Sequence, residues 1–191
     1  MILCFLDTET TGLDPETSEI LEIAIIRREA DGTERTFHTR VKPTPEGLEK
    51  ARPKALSING YAAQPELWEA APGLTDVANE IADFLEGGFL VGHNVAFDER
   101  MLNANFSRFG IKRRIPYHKI DTITLAYEHL TPLGLERASL DSVRGFLGWS
   151  RDGAHTALVD TQDAMRLFDL LWRMTEGEQL MLYLQLRELR G

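Results

Sequence analysis

An α/β fold, with a mixed sheet covered by helices on both faces, is predicted by the order in which two hydrophobic periods appear along the chain. Strand-type runs come first, at Ile2–Leu6, Glu19–Arg28 and Arg35–Val41. Two shorter strand-type runs, Phe89–Val91 and Tyr117–Ile120, then alternate with segments whose apolar residues recur at helical spacing. No repeat, low-complexity tract or linker interrupts this order, and 191 residues suffice to bury a sizeable core, so one compact domain is the simplest account.

The opening run Ile2-Leu3-Cys4-Phe5-Leu6 has strand length and gives way to Asp7-Thr8-Glu9, which places the first strand at about residues 2 to 8. Between Glu19 and Arg28, the residues Ile20, Leu21, Ile23, Ala24, Ile25 and Ile26 form a β-rich segment that ends in charge. Asp31-Gly32 is a strong hairpin signal because both residue types accept positive φ. Arg35 to Val41, with alternating Phe37 and Thr39, therefore returns as the antiparallel partner. Pro43, Pro45 and Pro53 punctuate the stretch through Ile58-Asn59-Gly60-Tyr61, which reads as irregular or short helical structure. From Leu74 the positions Val77, Ala78, Ile81, Phe84 and Leu85 predict a helix stopped by Gly87-Gly88. Phe89-Leu90-Val91 is a strand, and Phe97, Met101, Leu102, Phe106 and Phe109 line one face of the helix after it. Tyr117 to Ile120 is the fifth strand, followed by a helix over Thr122 to Leu130. Leu140, Val143, Phe146 and Leu147 mark another helix, and Gly148 to Gly153 a loop. A long amphipathic helix from Thr156 carries Ala157, Leu158, Ala164, Met165, Phe168, Leu171 and Trp172. The division expected is a domain over residues 1–175 and a helical segment over 176–191 that packs on it or on a partner.

Composition excludes several classes. With 43% hydrophobic and 27% charged residues the chain is neither disordered nor collagen-like. No apolar run approaches the ~20 residues of a membrane helix, and the N-terminal run stops too early for a signal peptide. The expected location is therefore cytoplasmic, with no membrane partner. The single cysteine, Cys4, rules out a disulfide or cysteine zinc site within one chain and reads as a small core residue. A net charge of −9 argues against a broad basic nucleic-acid surface, but not against an enzyme that holds nucleic acid locally around an acidic metal site.

Acidic residues stand at loaded positions. Side chains two apart on a strand share a face, so Asp7 and Glu9 lie side by side where an apolar strand ends. Such a pair is either solvated loop charge or two repelling carboxylates that require a cation. Asp98 follows a strand and a Gly turn in Val91-Gly92-His93-Asn94-Val95-Ala96-Phe97-Asp98, where a helix dipole alone would favour an acid. His155 precedes a helix and Asp160 lies near its start. Singly each signal is weak. Together they are the parts for phosphodiester hydrolysis: carboxylates for two hard divalent metals, and a histidine whose ordinary pKa of about 6.5 suits a general base.

Asp7-Thr8-Glu9-Thr10-Thr11-Gly12-Leu13, Gly92-His93-Asn94-Val95-Ala96-Phe97-Asp98 and His155-Thr156-Ala157-Leu158-Val159-Asp160 resemble the three sequence blocks of the DEDDh 3′→5′ exonucleases. This DnaQ-like superfamily includes polymerase proofreading subunits, exonuclease X, ribonuclease T and oligoribonuclease. The resemblance spans residues 1 to about 175 in family order. It implies a ribonuclease-H-like fold: a mixed five-stranded central sheet whose second strand is antiparallel to the others, with helices on both faces. It implies two divalent ions, Mg²⁺ or Mn²⁺, with Asp7 bridging them, Glu9 and Asp160 completing one site, Asp98 serving the other, and His155 as the base. Thr10, Thr11, Gly12 and Leu13 correspond to the seat of the 3′ nucleotide, and His93, Asn94 and Phe97 to the lining of the same pocket. Purely structural roles stay open for two of these, Asn94 as a helix cap and Phe97 as core.

The implied activity is removal of nucleotides from a free 3′ end with release of 5′-monophosphates, DNA being favoured. RNA trimming similar to ribonuclease T or oligoribonuclease is the enzymatic alternative. A weakly catalytic binding or proofreading subunit is the alternative of another class. A polymerase or repair partner and a homodimer are both compatible with the chain. Thr161 stands where the family commonly has alanine and is expected to face outward. Arg108, Lys112, Arg113, Arg114 and Lys119 either guide a phosphate backbone or form an ordinary solvated loop. Trp149 either stacks on a base or packs at a helix end.

Overall fold

The structure, a computed structural model, describes residues 1–190; Gly191, the end of the predicted C-terminal segment, lies outside the described residues. Its strands are β1 (Leu3–Thr10), β2 (Ile20–Arg28), β3 (Glu34–Arg40), β4 (Phe89–Gly92) and β5 (Lys119–Asp121). They form one sheet in the order β3-β2-β1-β4-β5. The pairs β1–β2 and β2–β3 are antiparallel, while β1–β4 and β4–β5 are parallel. Only β2 therefore opposes the others, as expected. The Asp31-Gly32 turn closes the β2–β3 hairpin, with Gly32 at φ +88°.

Around the sheet lie α1 (Pro45–Glu49), α2 (Pro53–Ile58), α3 (Glu66–Glu69), α4 (Leu74–Leu85), α5 (Val95–Arg108), α6 (Thr122–Leu130), α7 (Leu140–Leu147), α8 (Ala157–Leu171) and α9 (Glu176–Arg190). Alternation along β1 assigns its two faces. Cys4 and Leu6 join Ile23 and Ile25 of β2 under α4 and α5, where Leu74, Ile81, Leu85, Met101 and Phe106 complete one core. Leu3 and Phe5 join Ile26 and Val91 under α6, α7 and α8, where Leu125, Val143, Phe168 and Leu171 complete the other. The strand signals were continuous apolar runs because β1 and β2 are covered on both sides.

Three contacts fix α8 on the sheet. Arg28 forks onto the Asp169 carboxylate at 2.6 and 2.8 Å. Phe5 meets Phe168 edge to face at 5.4 Å between ring centres, an arrangement favoured by ring quadrupoles. Thr161 faces inward, contrary to expectation. It is fully buried, and its hydroxyl donates to the Ala24 carbonyl at 3.4 Å. The small Ala24 leaves room on β2 for the branched side chain, and the hydrogen bond satisfies the hydroxyl.

Trp149 packs against this second core with the Arg166 guanidinium 4.2 Å above its ring. Helix α9 buries Leu186, sends Leu182 to the same core, and donates from Gln179 to the His129 carbonyl at 2.9 Å, while Leu180, Met181 and Leu184 are exposed. Among the described residues no helix is long and apolar enough to cross a membrane.

Candidate active site

The site is set by where β1 outruns its neighbour. Its parallel ladder with β4 ends at Phe5–Val91, whereas its ladder with β2 runs on to Thr10. Past the shorter ladder the Thr8 N–H has no partner on β4. It donates to Asp98 Oδ1 at 2.9 Å, and the Thr8 hydroxyl donates to the same oxygen at 2.7 Å. Asp98, in the first turn of α5, is only 3% exposed.

On the opposite face of β1, Asp7 lies across from Ala24 and Glu9 across from Glu22. Helix α8 covers this face and brings Asp160 in its first turn. One carboxylate oxygen from each of Asp7, Glu9 and Asp160 lies within 4.8 Å of the others. Asp98 stands outside this trio with one oxygen held by Thr8, yet close enough that its charge acts on Asp7.

The electrostatics follow from crowding acids in a poorly hydrated place. Burial first, and then the charges of Asp98, Asp160, Glu9 and Glu22, hold the Asp7 carboxyl well above the usual carboxylate range. Burial, then Asp160, Glu22 and Asp98, push Glu9 up to about 8. Burial raises Asp98 to about 7 against the lowering effect of its Thr8 hydrogen bonds. The donors of the trio are all carboxylate oxygens, which suit a hard divalent cation such as Mg²⁺ or Mn²⁺ and suit soft metals poorly. A cation there would relieve the repulsion that now favours the protonated acids.

His155 sits in the loop before α8 in the left-handed region, φ 67°. Its N–H donates to Asp160 Oδ1 at 3.2 Å, and its Nε2 lies 3.7 Å from Asp141 Oδ2. The imidazole is 45% exposed and open to solvent.

The segment after Glu9 is held from below. Thr10 donates from its hydroxyl to the Gly12 carbonyl at 2.7 Å, and Thr11 exchanges two hydrogen bonds with the Glu19 backbone. The Arg52 N–H donates to the Thr11 carbonyl at 2.8 Å, and the Asn59 side chain donates to the Thr10 carbonyl at 3.1 Å. The proline-rich tract is thus a buttress for Thr10–Gly12. Leu13 projects beyond it, 70% exposed.

His93 has both ring nitrogens engaged, by the Thr122 hydroxyl at 3.0 Å and the Ala138 carbonyl at 2.6 Å. Burial lowers its pKa although the Ala138 bond opposes this, so the ring is neutral near pH 7. Asn94 occupies the N-cap position of α5 at φ 72°, without a side-chain cap; its N–H donates to Asp121 Oδ1 at 3.0 Å. Phe97 is partly buried against the first core.

Of the basic residues after α5, Arg108 donates to the Ser18 and Pro15 carbonyls, Arg113 pairs with Asp83, and Lys119 pairs with Glu99.

Two groups beside the trio went unread in the sequence. Glu22 is an acid inside the apolar run Ile20–Ile26, and its carboxylate meets His38 Nε2 at 2.7 Å. Arg144 follows Leu140 and Val143 at i+4 and i+1, on the apolar face of α7, and is fully buried. A charge within a buried stripe was the available signal in both cases.

The sequence profile of the exonuclease family matches residues 4–168. The chain is 35% identical over 164 residues to the PolC-type DNA polymerase III of Thermotoga maritima, covering 85% of this chain and 11% of that protein. It therefore spans about a tenth of that polymerase. It is 31% identical to the DNA polymerase III subunit epsilon of Escherichia coli K12, covering 93% of this chain and 73% of the relative. To the ribonuclease T of Shewanella frigidimarina it is 30% identical, with 90% and 84% covered. A crystal structure of E. coli exonuclease I with a dT13 oligonucleotide superposes with a TM-score of 0.70 at 21% identity, over 94% of this chain and 45% of that one.

Proposed function

Because the chain belongs to the exonuclease family of nuclease hydrolases, we propose that it removes nucleotides stepwise from the 3′ end of a nucleic acid, DNA before RNA, and releases nucleoside 5′-monophosphates. The observation that carries this reading is the convergence of Asp7, Glu9 and Asp160 within 4.8 Å beside Asp98. A cation would relieve the repulsion within this acidic cluster, and phosphodiester hydrolysis gains from the same positive charge.

Two divalent cations, Mg²⁺ or Mn²⁺, would supply the positive charge that the pentavalent phosphorus and the leaving oxygen require. Asp7, Glu9 and Asp160 would hold one, and Asp98 would share the other with Asp7. Every other part of the reaction is assigned to the chain's own side chains. His155 takes the proton from the attacking water; its exposure leaves it room to reach that water, and Asp141 is placed to stabilise the imidazolium that results. Thr10, Thr11 and Gly12, braced by Arg52 and Asn59, form a rigid floor for the terminal nucleotide, and Leu13 lies against its base. Phe97 and Asn94 close the pocket from α5, and His93, with both nitrogens engaged, steadies the turn that carries them. Residues 1–175 constitute the exonuclease domain in this reading, and α9 is an addition to it.

The likeness to ribonuclease T, over most of both chains, favours RNA trimming as the second reading. A purely binding role has no use for so costly an acidic cluster. The likeness to a polymerase subunit supports a polymerase or repair partner.

The test is one assay of 5′-labelled DNA and RNA, each as single strand, duplex and dinucleotide, with Mg²⁺, Mn²⁺ or chelator. Single-nucleotide ladders that retain the 5′ label and vanish with chelator are expected. Internal cuts, or shortening undiminished by chelator, would overturn the proposal. Faster loss of RNA would select the second reading.

A further inference from the structure

Arg144 of α7 has no exposed side-chain surface, yet its guanidinium faces three carboxylates. Nε donates to Asp163 Oδ2 at 2.7 Å, Nη2 to Asp160 Oδ1 at 2.7 Å, and Nη1 to Asp141 Oδ1 at 3.2 Å. A lysine could not repeat this planar fork, because its ammonium is a point charge. The backbone holds the residue in place as well. Ser139 caps the start of α7, and the Trp149 N–H closes its end by donating to the Arg144 carbonyl at 2.9 Å.

Asp160 Oδ1 therefore receives two donors, Arg144 Nη2 and the His155 N–H. Those two donors fix the carboxylate group, one oxygen of which lies within 4.8 Å of a carboxylate oxygen from each of Asp7 and Glu9. The same guanidinium pins Asp141, whose other oxygen faces the His155 ring at 3.7 Å.

We propose that Arg144 is the positioning residue of this site: it fixes the carboxylate plane of Asp160 so that one oxygen is presented to a divalent cation, and through Asp141 it sets the histidine loop in register with that carboxylate. This rests on the reading of Asp7, Glu9 and Asp160 as a cation site, but not on the identity of the polymer cleaved. The alternative is that Arg144 merely neutralises Asp163, a buried ion pair with no consequence for the site.

The two roles separate in a double variant. Arg144→Met/Asp163→Leu removes the pair together and replaces it with apolar volume, an exchange that buried ion pairs often tolerate. Asp160 keeps its position in the chain but loses its fork. Mn²⁺ binding is measured by titration calorimetry without nucleic acid, beside thermal unfolding.

The expected result is a folded double variant that binds Mn²⁺ roughly 10- to 100-fold more weakly, the usual loss when a partner of a metal ligand is removed. Arg144→Lys should lie between it and the parent. A folded double variant with parental Mn²⁺ affinity overturns the proposal. If the double variant does not fold, Arg144→Lys decides: a loss of about tenfold or more supports positioning, and parental affinity overturns it. A parent protein that binds no Mn²⁺ overturns the cation site and this inference together. A parent that binds Mn²⁺ but degrades no oligonucleotide overturns the exonuclease reading alone, and the affinity ratio still judges Arg144.

Discussion

Removing divalent metal should make the protein less stable as pH rises, and Glu9 is one of the acids that produce the effect. Burial and its acidic neighbours raise the Glu9 carboxyl from its ordinary 4.5 to about 8. The folded chain therefore holds this proton more tightly than the unfolded chain. Between those two values the folded state carries more protons, so stability falls with increasing pH and the full penalty is reached above about pH 8. At about 1.4 kcal/mol per pH unit the gap corresponds to about 5 kcal/mol for a group sealed from water. Glu9 is partly open to solvent and shares the repulsion with Asp7, so about half of that, roughly 2–3 kcal/mol, is the working figure. For a chain of this size each kcal/mol moves the melting temperature by roughly 2–4 °C. In chelator, Glu9→Gln should melt at nearly the parental temperature at pH 5 and roughly 5–10 °C above it at pH 8.5. Mn²⁺ at a hundred times its dissociation constant should return about 2.7 kcal/mol to the parent and little to the variant. Scanning fluorimetry across the two pH values reads both effects. A difference between variant and parent that is independent of pH, or that favours the parent at high pH, would refute the account of the acidic cluster.

Asp7→Asn should lower cleavage by at least roughly 100-fold in Mg²⁺, as losses of directly acting polar groups do, while raising the melting temperature in chelator; full activity would remove Asp7 from the site. His155→Gln should lower the rate by about 10²–10⁴-fold with Mn²⁺ affinity retained, measured by single-turnover cleavage beside calorimetry. At Gly92 an added Cβ would stand 2.8 Å from the Leu6 carbonyl oxygen. Gly92→Ala must therefore move the end of β4 and the α5 start that carries Asp98, costing about 1–3 kcal/mol in denaturant melts and weakening Mn²⁺ binding as well. The buried Asn105 side chain donates to the Ser18 carbonyl at 3.1 Å and accepts from the Ile20 N–H at 3.4 Å. Asn105→Ala should cost about 1–3 kcal/mol by leaving these groups unpaired, with cleavage per folded molecule unchanged.

The sheet was legible because its strands are apolar runs bounded by strong punctuation. Asp31-Gly32 alone identified the hairpin that makes β2 the one reversed strand. The acids of the three blocks were legible because charge at a strand end or helix start breaks the apolar pattern. What escaped notice has a common physical character. The tract from Pro43 to Tyr61 braces the segment after Glu9 through the Asn59 side-chain amide on the Thr10 carbonyl and the Arg52 backbone N–H on the Thr11 carbonyl; the backbone bond leaves no mark in residue type, and the asparagine bonds a carbonyl far away in sequence. Thr161 was expected outside because a β-branched side chain stands where the family commonly has alanine, whereas the small Ala24 opposite gives it room inside and the Ala24 carbonyl accepts its hydroxyl. Arg144 and Glu22 were passed over as single charges in apolar stripes, and it is their partners, distant in sequence, that give them meaning.

Asp7 and Asp160 come from opposite ends of the matched region, and α8, which packs on β1, follows nearly every other element along the chain. During synthesis from the N-terminus, at roughly 5–20 residues per second, on the order of ten seconds or more separates the emergence of the β1 acids from that of α8. Through that interval the nascent chain holds Asp7 and Glu9 without their third carboxylate and without His155. Nuclease competence would therefore arise in a single late event, the docking of α8 through Phe168 and Asp169. Ribosome-bound or proteolysed fragments that stop short of residue 160 would be inert toward the nucleic acids around them.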